Sequence, residues 1–133
     1  MICEGHNLLN TDFLGESDPF LIFYKMKYEK WEKVLETYFI KDNLNPTWNV
    51  IEISDDILYG DNPQMLIKIE CWDNSKSGKH NFIGEIVTSK NEIENNRKEF
   101  ILSNNGKTKG IGVLKLARFE RGYKSKFIDY LMG

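Results

Sequence analysis

A chain of 133 residues, 41% hydrophobic and 29% charged, is long enough to enclose one real core and has the mix of an ordinary globular domain. Its formal net charge of −2 offers no global field for nucleic acid. No apolar run approaches the length that spans a bilayer, and the first residues do not read as a signal peptide.

Residues 1–6 read as a short first strand, truncated at its start, and residues 7–18 as a loop. Residues 19–26 carry an apolar run (Phe20, Leu21, Ile22, Phe23, Tyr24) fit for a strand inside a sandwich. Pro19 suits the first position of a strand, where no ladder donor is needed. Residues 31–41 alternate, with Trp31, Val34 or Leu35, Tyr38 and Ile40 as expected core contacts. Residues 42–47 form a turn marked by Asn45-Pro46. Residues 48–54 are expected to be a strand with Trp48, Val50 and Glu52 on one side and Ile51 and Ile53 on the other.

Ser54 and Gly60 have the character of a cap and a stop for a short helix. Residues 65–73 alternate cleanly, Leu66, Lys68, Glu70 and Trp72 opposing Ile67, Ile69 and Cys71. A strand over 82–88, a helical turn within 89–96 and strands over 99–102 and 111–119 complete the set. Short strands separated by turn signals, rich in the 8 Phe, 6 Tyr and 3 Trp that favour extended backbone, argue for an all-β sandwich. Cys3 and Cys71 are expected to be buried free thiols rather than a disulfide, because Cys71 lies in an apolar strand pattern beside Trp72. No Cys/His spacing fits a zinc site.

Two distant segments then carry aspartates: Asp12-Phe13-Leu14-Gly15-Glu16-Ser17-Asp18-Pro19-Phe20, and Cys71-Trp72-Asp73 onward to Phe82-Ile83-Gly84-Glu85. If the fold joins them, Asp12, Asp18 and Asp73 converge. Their carboxylates repel unless a cation sits between them, and oxygen ligands from flexible loops suit Ca²⁺. Taken alone, an aspartate beside Ser17 and Pro19 could equally cap a turn.

These segments resemble the C2 domain family, and within it the copines. Residues 7–20 look like its first calcium loop and the strand after it, Asn45-Pro46-Thr47-Trp48 like its Asn-Pro-x-Trp turn, and Trp72-Asp73 through Glu85 like its third loop. Residues 127–133 resemble the segment that joins a copine's second C2 domain to a von Willebrand A-type domain. The resemblance implies an eight-stranded antiparallel C2-type β-sandwich with functional loops at one end. It divides the chain into a domain over 1–121 and a linker over 122–133 leading to a von Willebrand A-type domain that is absent here. A further C2 domain in the parent chain is expected.

It also implies a ligand set. Asp12 and Asp18 take the two places of the first loop and Asp73 the first place of the third. Ser75 and Asn81 stand where the family has two more aspartates, offering neutral oxygens instead. Three carboxylates balance one Ca²⁺ with one charge over, so the expectation is one ion at most, weakly held, with lipid phosphates completing the shell. Phe13 and Leu14 at one loop tip, with Lys76, Lys79 and His80 at the other, are the expected contacts to an anionic phospholipid membrane. A second basic set, Lys25, Lys27, Lys30 and Lys33 around Tyr28 and Trp31, is interrupted by Glu29 and Glu32 and reads as solvated surface.

There is no nucleophile elbow, Gly-rich phosphate loop or His–carboxylate pair at useful spacing, so the chain reads as a binding module and not an enzyme. The expected location is cytoplasmic, with peripheral membrane attachment when calcium rises. The alternative is a calcium-independent C2 domain serving as a protein–protein or constitutive lipid-binding surface.

Overall fold

The alternation of residues 66–73 sets the middle of the fold: Ile67, Ile69, Cys71 and Asp73 are buried, while Lys68, Glu70 and Trp72 are half-buried on the opposite face. The computed structural model describes residues 1–12, 15–49, 51–58, 60, 62–95 and 99–117. Among these, eight strands and two short helices follow in the order β1 (Ile2–His6), β2 (Pro19–Lys27), β3 (Lys30–Glu36), β4 (Thr47–Trp48), α1 (Asp55–Leu58), β5 (Leu66–Asp73), β6 (Asn81–Ser89), α2 (Lys90–Glu94), β7 (Glu99–Ile101) and β8 (Val113–Ala117).

The strands form two four-stranded antiparallel sheets, ordered β4-β1-β8-β7 and β3-β2-β5-β6. Their inner faces share one core, with Leu21, Phe23, Ile67 and Ile69 from one sheet and Trp48, Phe100 and Leu114 from the other. Cys3 and Cys71 enter the same core as free, buried thiols. Burial drives both thiols far above the ordinary cysteine range, which leaves them inert.

The helices obey their sequence signals. Ser54 Oγ accepts from the Ile57 amide at 3.2 Å and Gly60 takes a φ of +60° just past α1. Ser89 caps α2 by accepting from the Glu92 amide. Three expectations need correction. Trp31 is half-buried on the outer face, under Lys68, rather than a core contact. Tyr38 is 57% exposed rather than a core contact. The regular ladder ends at Glu36, and the Thr37 hydroxyl then accepts from the Leu21 amide at 2.9 Å, in place of a backbone carbonyl. The strand expected over 48–54 also stops at Trp48. The Trp48 ring is fully buried and its Nε1 donates to the Tyr38 carbonyl at 3.0 Å. Ile51 reaches the core as well, and alternation would have put it opposite Trp48. The Ile51 backbone instead exchanges hydrogen bonds with Met1 at 3.1 and 3.2 Å. Val50 and the expected linker 122–133 lie outside the described residues.

One glycine sets how closely the sheets approach at an edge. Glu85 and Ser103 exchange backbone hydrogen bonds at 2.9 Å, joining β6 to the segment after β7. A Cβ on neighbouring Gly84 would meet Ile111 Cγ2 at 2.7 Å, Leu102 Cβ at 3.1 Å and the Ser103 carbonyl at 3.3 Å. We predict that Gly84→Ala destabilises the fold by about 1–3 kcal/mol through overpacking. Phe23→Ala, which empties a fully buried site, is expected to cost about 3–5 kcal/mol. Denaturant titration followed by tryptophan fluorescence measures both.

Candidate metal centre

Asp73 is the last residue of β5 and follows Ile67, Ile69 and Cys71 in the inward phase, so alternation alone carries a carboxylate into a fully buried position. It lies between Pro19 and Asn81 on the flanking strands. A buried carboxylate needs partners, and the first loop supplies them. The Asp18 amide donates to Asp73 Oδ1 at 2.7 Å, and the Thr11 hydroxyl donates to Oδ2. The Asn74 amide returns a bond to the Asp18 carbonyl at 2.9 Å.

The turn-capping chemistry of the first loop falls to other residues. Asn10 Oδ1 accepts from the Asp12 amide at 3.1 Å. The buried Ser17 hydroxyl accepts from the Thr11 amide at 2.9 Å and donates to the Leu9 carbonyl at 3.2 Å. Asp18 Oδ1 reaches a third segment, accepting from the Asp42 amide at 2.8 Å. The aspartates are therefore joints between loops and not local caps.

Asp12, Asp18 and Asp73 each present a carboxylate oxygen within 4.8 Å of the others. Two oxygens on opposite sides of one Ca²⁺, each at about 2.4 Å, would lie about 4.8 Å apart. The donor set is all oxygen and its spacing fits one hard cation. The cost of bringing the carboxylates together shows at Asp12, whose pKa is pushed up to about 6. A hydrogen bond to Asp73 is the largest cause, followed by partial burial and the charges of Asp73, Asp18 and Asp42.

Asp42 was missed in the sequence, where it read only as the start of a turn. It takes a φ of +46°, a conformation that Asp tolerates better than most residues. Its carboxylate lies beside the first loop, 3.5 Å from where a Cβ on Gly15 would stand. The one signal that could have marked it was its place ahead of the Asn-Pro turn, which packs back on the first loop through Asn43 amide to Ser17 carbonyl at 3.0 Å.

The remaining expected site residues have these places, with Asn81 directly across from Asp73 in the ladder. Ser75 Oγ is paired with Ser77 Oγ at 3.0 Å, and Asn81 is exposed at the start of β6. Lys76 and Lys79 are exposed on the same loop. His80 is held inward, its Nδ1 accepting from the Ser75 amide at 2.9 Å and its ring set edge-on to Phe20 at 5.0 Å. Phe13 and Leu14 lie outside the described residues. The second basic set does not converge: Lys25 Nζ donates to the Ile57 carbonyl at 2.9 Å, Lys27 pairs with Glu32 at 3.8 Å and Lys33 with Glu36 at 2.8 Å. Lys68 on the same outer face is enclosed by Glu70 at 3.2 Å and by the Tyr24 and Trp31 rings at 4.7 and 5.1 Å.

This sandwich, with an acidic cup where its loops meet at one end, is that of a C2 domain. The family model for the C2 domain matches residues 1–102, and the chain belongs to that family. The fold is similar to the solved structure of BON1-C2B, with a TM-score of 0.74 and 25% identity over 90% of this chain and 87% of that one. It is similar to a C2 domain of a plant extended synaptotagmin 1, with a TM-score of 0.53 and 18% identity over 88% and 96% of the two chains. A human GIVD cytosolic phospholipase A2, solved with an inhibitor and terbium chloride, shares the fold over 68% of this chain and 13% of its own, with a TM-score of 0.50 and 18% identity.

The sign of the pH effect follows from Asp12. Its folded pKa of about 6 lies above its ordinary value of 3.8, so between these the folded state holds the extra proton. Stability from this group is therefore lost as pH rises through about 4 to 6, and is level above that. In calcium-free buffer Asp12→Asn is expected to melt above the unaltered protein, with a gap that widens from pH 4 to 6 and then stays constant. Calorimetric melting curves across that range check it. Asp73→Ala is expected to act oppositely, costing about 1–3 kcal/mol because it strands the Asp18 amide and the Thr11 hydroxyl.

Proposed function

We propose that this C2 domain is a calcium-assisted module for binding anionic phospholipid membranes, in a copine-like protein, and not a catalyst. The observation that carries the reading is the meeting of Asp12, Asp18 and Asp73 within 4.8 Å at one end of the sandwich. Membership of the C2 family supports it, and the likeness in fold to a domain named C2B supports placing it second in its parent chain. The proposed attachment is peripheral, at a cytoplasmic membrane face; among the described residues no helix is long and apolar enough to cross a membrane.

The charge balance favours one ion. Three carboxylates offset a single Ca²⁺, and Asp42 adds a fourth negative group beside them. A second ion would depend on Ser75 and Asn81, one of which already has its hydroxyl paired with Ser77. When bound, calcium supplies positive charge and open coordination positions for lipid phosphate. The residues of the chain hold those positions at the loop end, beside exposed Lys76 and Lys79. That same Ser75–Ser77 pairing favours the second reading, a domain that binds lipid or protein without calcium.

Calorimetric titration of calcium, alone and with phosphatidylserine vesicles, separates the two. The proposal predicts weak heat alone and stronger binding with vesicles, and sedimentation with vesicles that needs calcium. Asp18→Asn and Asp73→Asn are expected to abolish that sedimentation, and Asp42→Asn to weaken it. A folded protein that sediments equally with and without calcium would establish the calcium-independent reading.

A further inference from the structure

The chain contains a single Asn-Gly dipeptide, Asn105-Gly106, and the fold sets it at the tip of a two-residue hairpin between β7 and β8. Asn104 and Lys107 exchange backbone hydrogen bonds at 2.8 and 2.9 Å across it. Asn105 takes a φ of +50° and Gly106 a φ of +82°, the two positive values that a type I′ turn requires. Both residues are exposed, and a Cβ on Gly106 would meet nothing within 4 Å. The two neighbouring asparagines are held differently. Asn104 Nδ2 donates to the Ile83 carbonyl at 3.1 Å and the Phe82 carbonyl at 3.5 Å. Among the described residues, neither the Asn105 carboxamide nor the Gly106 amide has a hydrogen-bond partner.

A free asparagine carboxamide stands within ring-closing reach of the next residue's backbone nitrogen. A side chain on that next residue would crowd the approach, and glycine has none. What remains is a rotation of the peptide between them. Turning the Asn105–Gly106 peptide over converts type I′ into type II′ while Asn105 keeps its positive φ, and a two-residue hairpin accepts both turns. The open space around Gly106 leaves that rotation unobstructed.

We propose that Asn105-Gly106 is a site of spontaneous deamidation that changes the charge of the loop end as the protein ages. The Gly106 nitrogen gives its proton to hydroxide and attacks Cγ of Asn105. The N–Cγ bond forms, the Cγ–Nδ2 bond breaks, and ammonia leaves with a proton from water. Water then opens the succinimide ring, at Cγ to give aspartate or at the backbone carbonyl carbon to give isoaspartate. Either product carries a carboxylate in place of a neutral amide and takes the net charge of −2 one unit lower. The hairpin belongs to the end that bears the acidic cup, because Asn104 is tied to the two residues after Asn81, and Asn81 pairs with Asp73. Exposed Lys107 and Lys109 follow it, so the new charge opposes theirs. The chemistry stands apart from the membrane reading, and only its effect on lipid rests on that reading.

The test incubates the folded protein and the denatured chain at mildly alkaline pH in heavy-oxygen water. Peptide mapping by mass spectrometry locates the label, and a methyltransferase specific for isoaspartate counts that product. Label is expected at residue 105 ahead of every other asparagine, and faster as pH rises. Asn105→Gly, which keeps a favoured turn, is expected to take up none at this position. Residue 105 intact in the folded protein while the denatured chain converts overturns the proposal, because the turn then protects the amide. The aged protein and Asn105→Asp are expected to bind phosphatidylserine vesicles about fivefold more weakly than the unaltered protein, or about 1 kcal/mol for one offset lysine. Equal binding by all three overturns the effect on lipid and leaves the deamidation site standing. Absence of any vesicle binding by the unaltered protein overturns the membrane reading alone.

Discussion

The buried carboxylate of Asp73 is the constraint around which this end of the molecule is organised. Strand alternation carries it inward with no regard for its charge, and burial without partners would be prohibitive. The first loop answers with an amide and a hydroxyl, from Asp18 and Thr11. Asp18 then takes the Asp42 amide, so one acidic side chain draws in a loop and that loop draws in the next. The hydrogen bonds that assemble the loops also crowd their negative charges, and Asp12 registers the crowding in its raised pKa.

The rest of the sandwich serves this arrangement by being ordinary. A shared core of aliphatic and aromatic side chains fixes the strands, and Gly84 lets β6 bond the segment after β7 directly. The register slip between Cys71 and Trp72 lets Phe82 stack edge-on with Trp72 on the outer face at 5.0 Å while Ile83 and Gly84 are both buried. The strand ends that bear Asp73 and Pro19 are thereby held by neighbours on both sides.

Much of this was legible in the residues. Period-two alternation gave β5 and, continued by one residue, the inward direction of Asp73. The Asn-Pro turn, the Ser54 and Ser89 caps and the free thiols were equally local signals, and local signals survive folding. The failures have a common cause. Tyr38 and the stretch after Trp48 carry strand-like patterns, but a hydroxyl stands in for a ladder acceptor at Thr37 and the Met1 backbone captures Ile51. Those choices are made by tertiary partners and leave no periodic trace. Asp42 was missed for the same reason: its meaning lies in which loop it meets. The edge-on contact of the His80 ring with Phe20 is likewise tertiary and leaves no mark in the sequence.

One consequence follows from Asp73 belonging to a strand and not to a loop. Its oxygens are held by an amide and a hydroxyl before any ligand arrives, so an incoming cation finds the cup already drawn. Little of the backbone has to move. On the calcium-assisted reading, what changes is the electrical potential at one pole of the domain, which becomes less repulsive toward an anionic surface. Such a change reaches only about 8 Å into solution at physiological salt. On that reading the domain would act as a contact sensor, silent until diffusion has already brought it against its target, and responsive in charge rather than in shape.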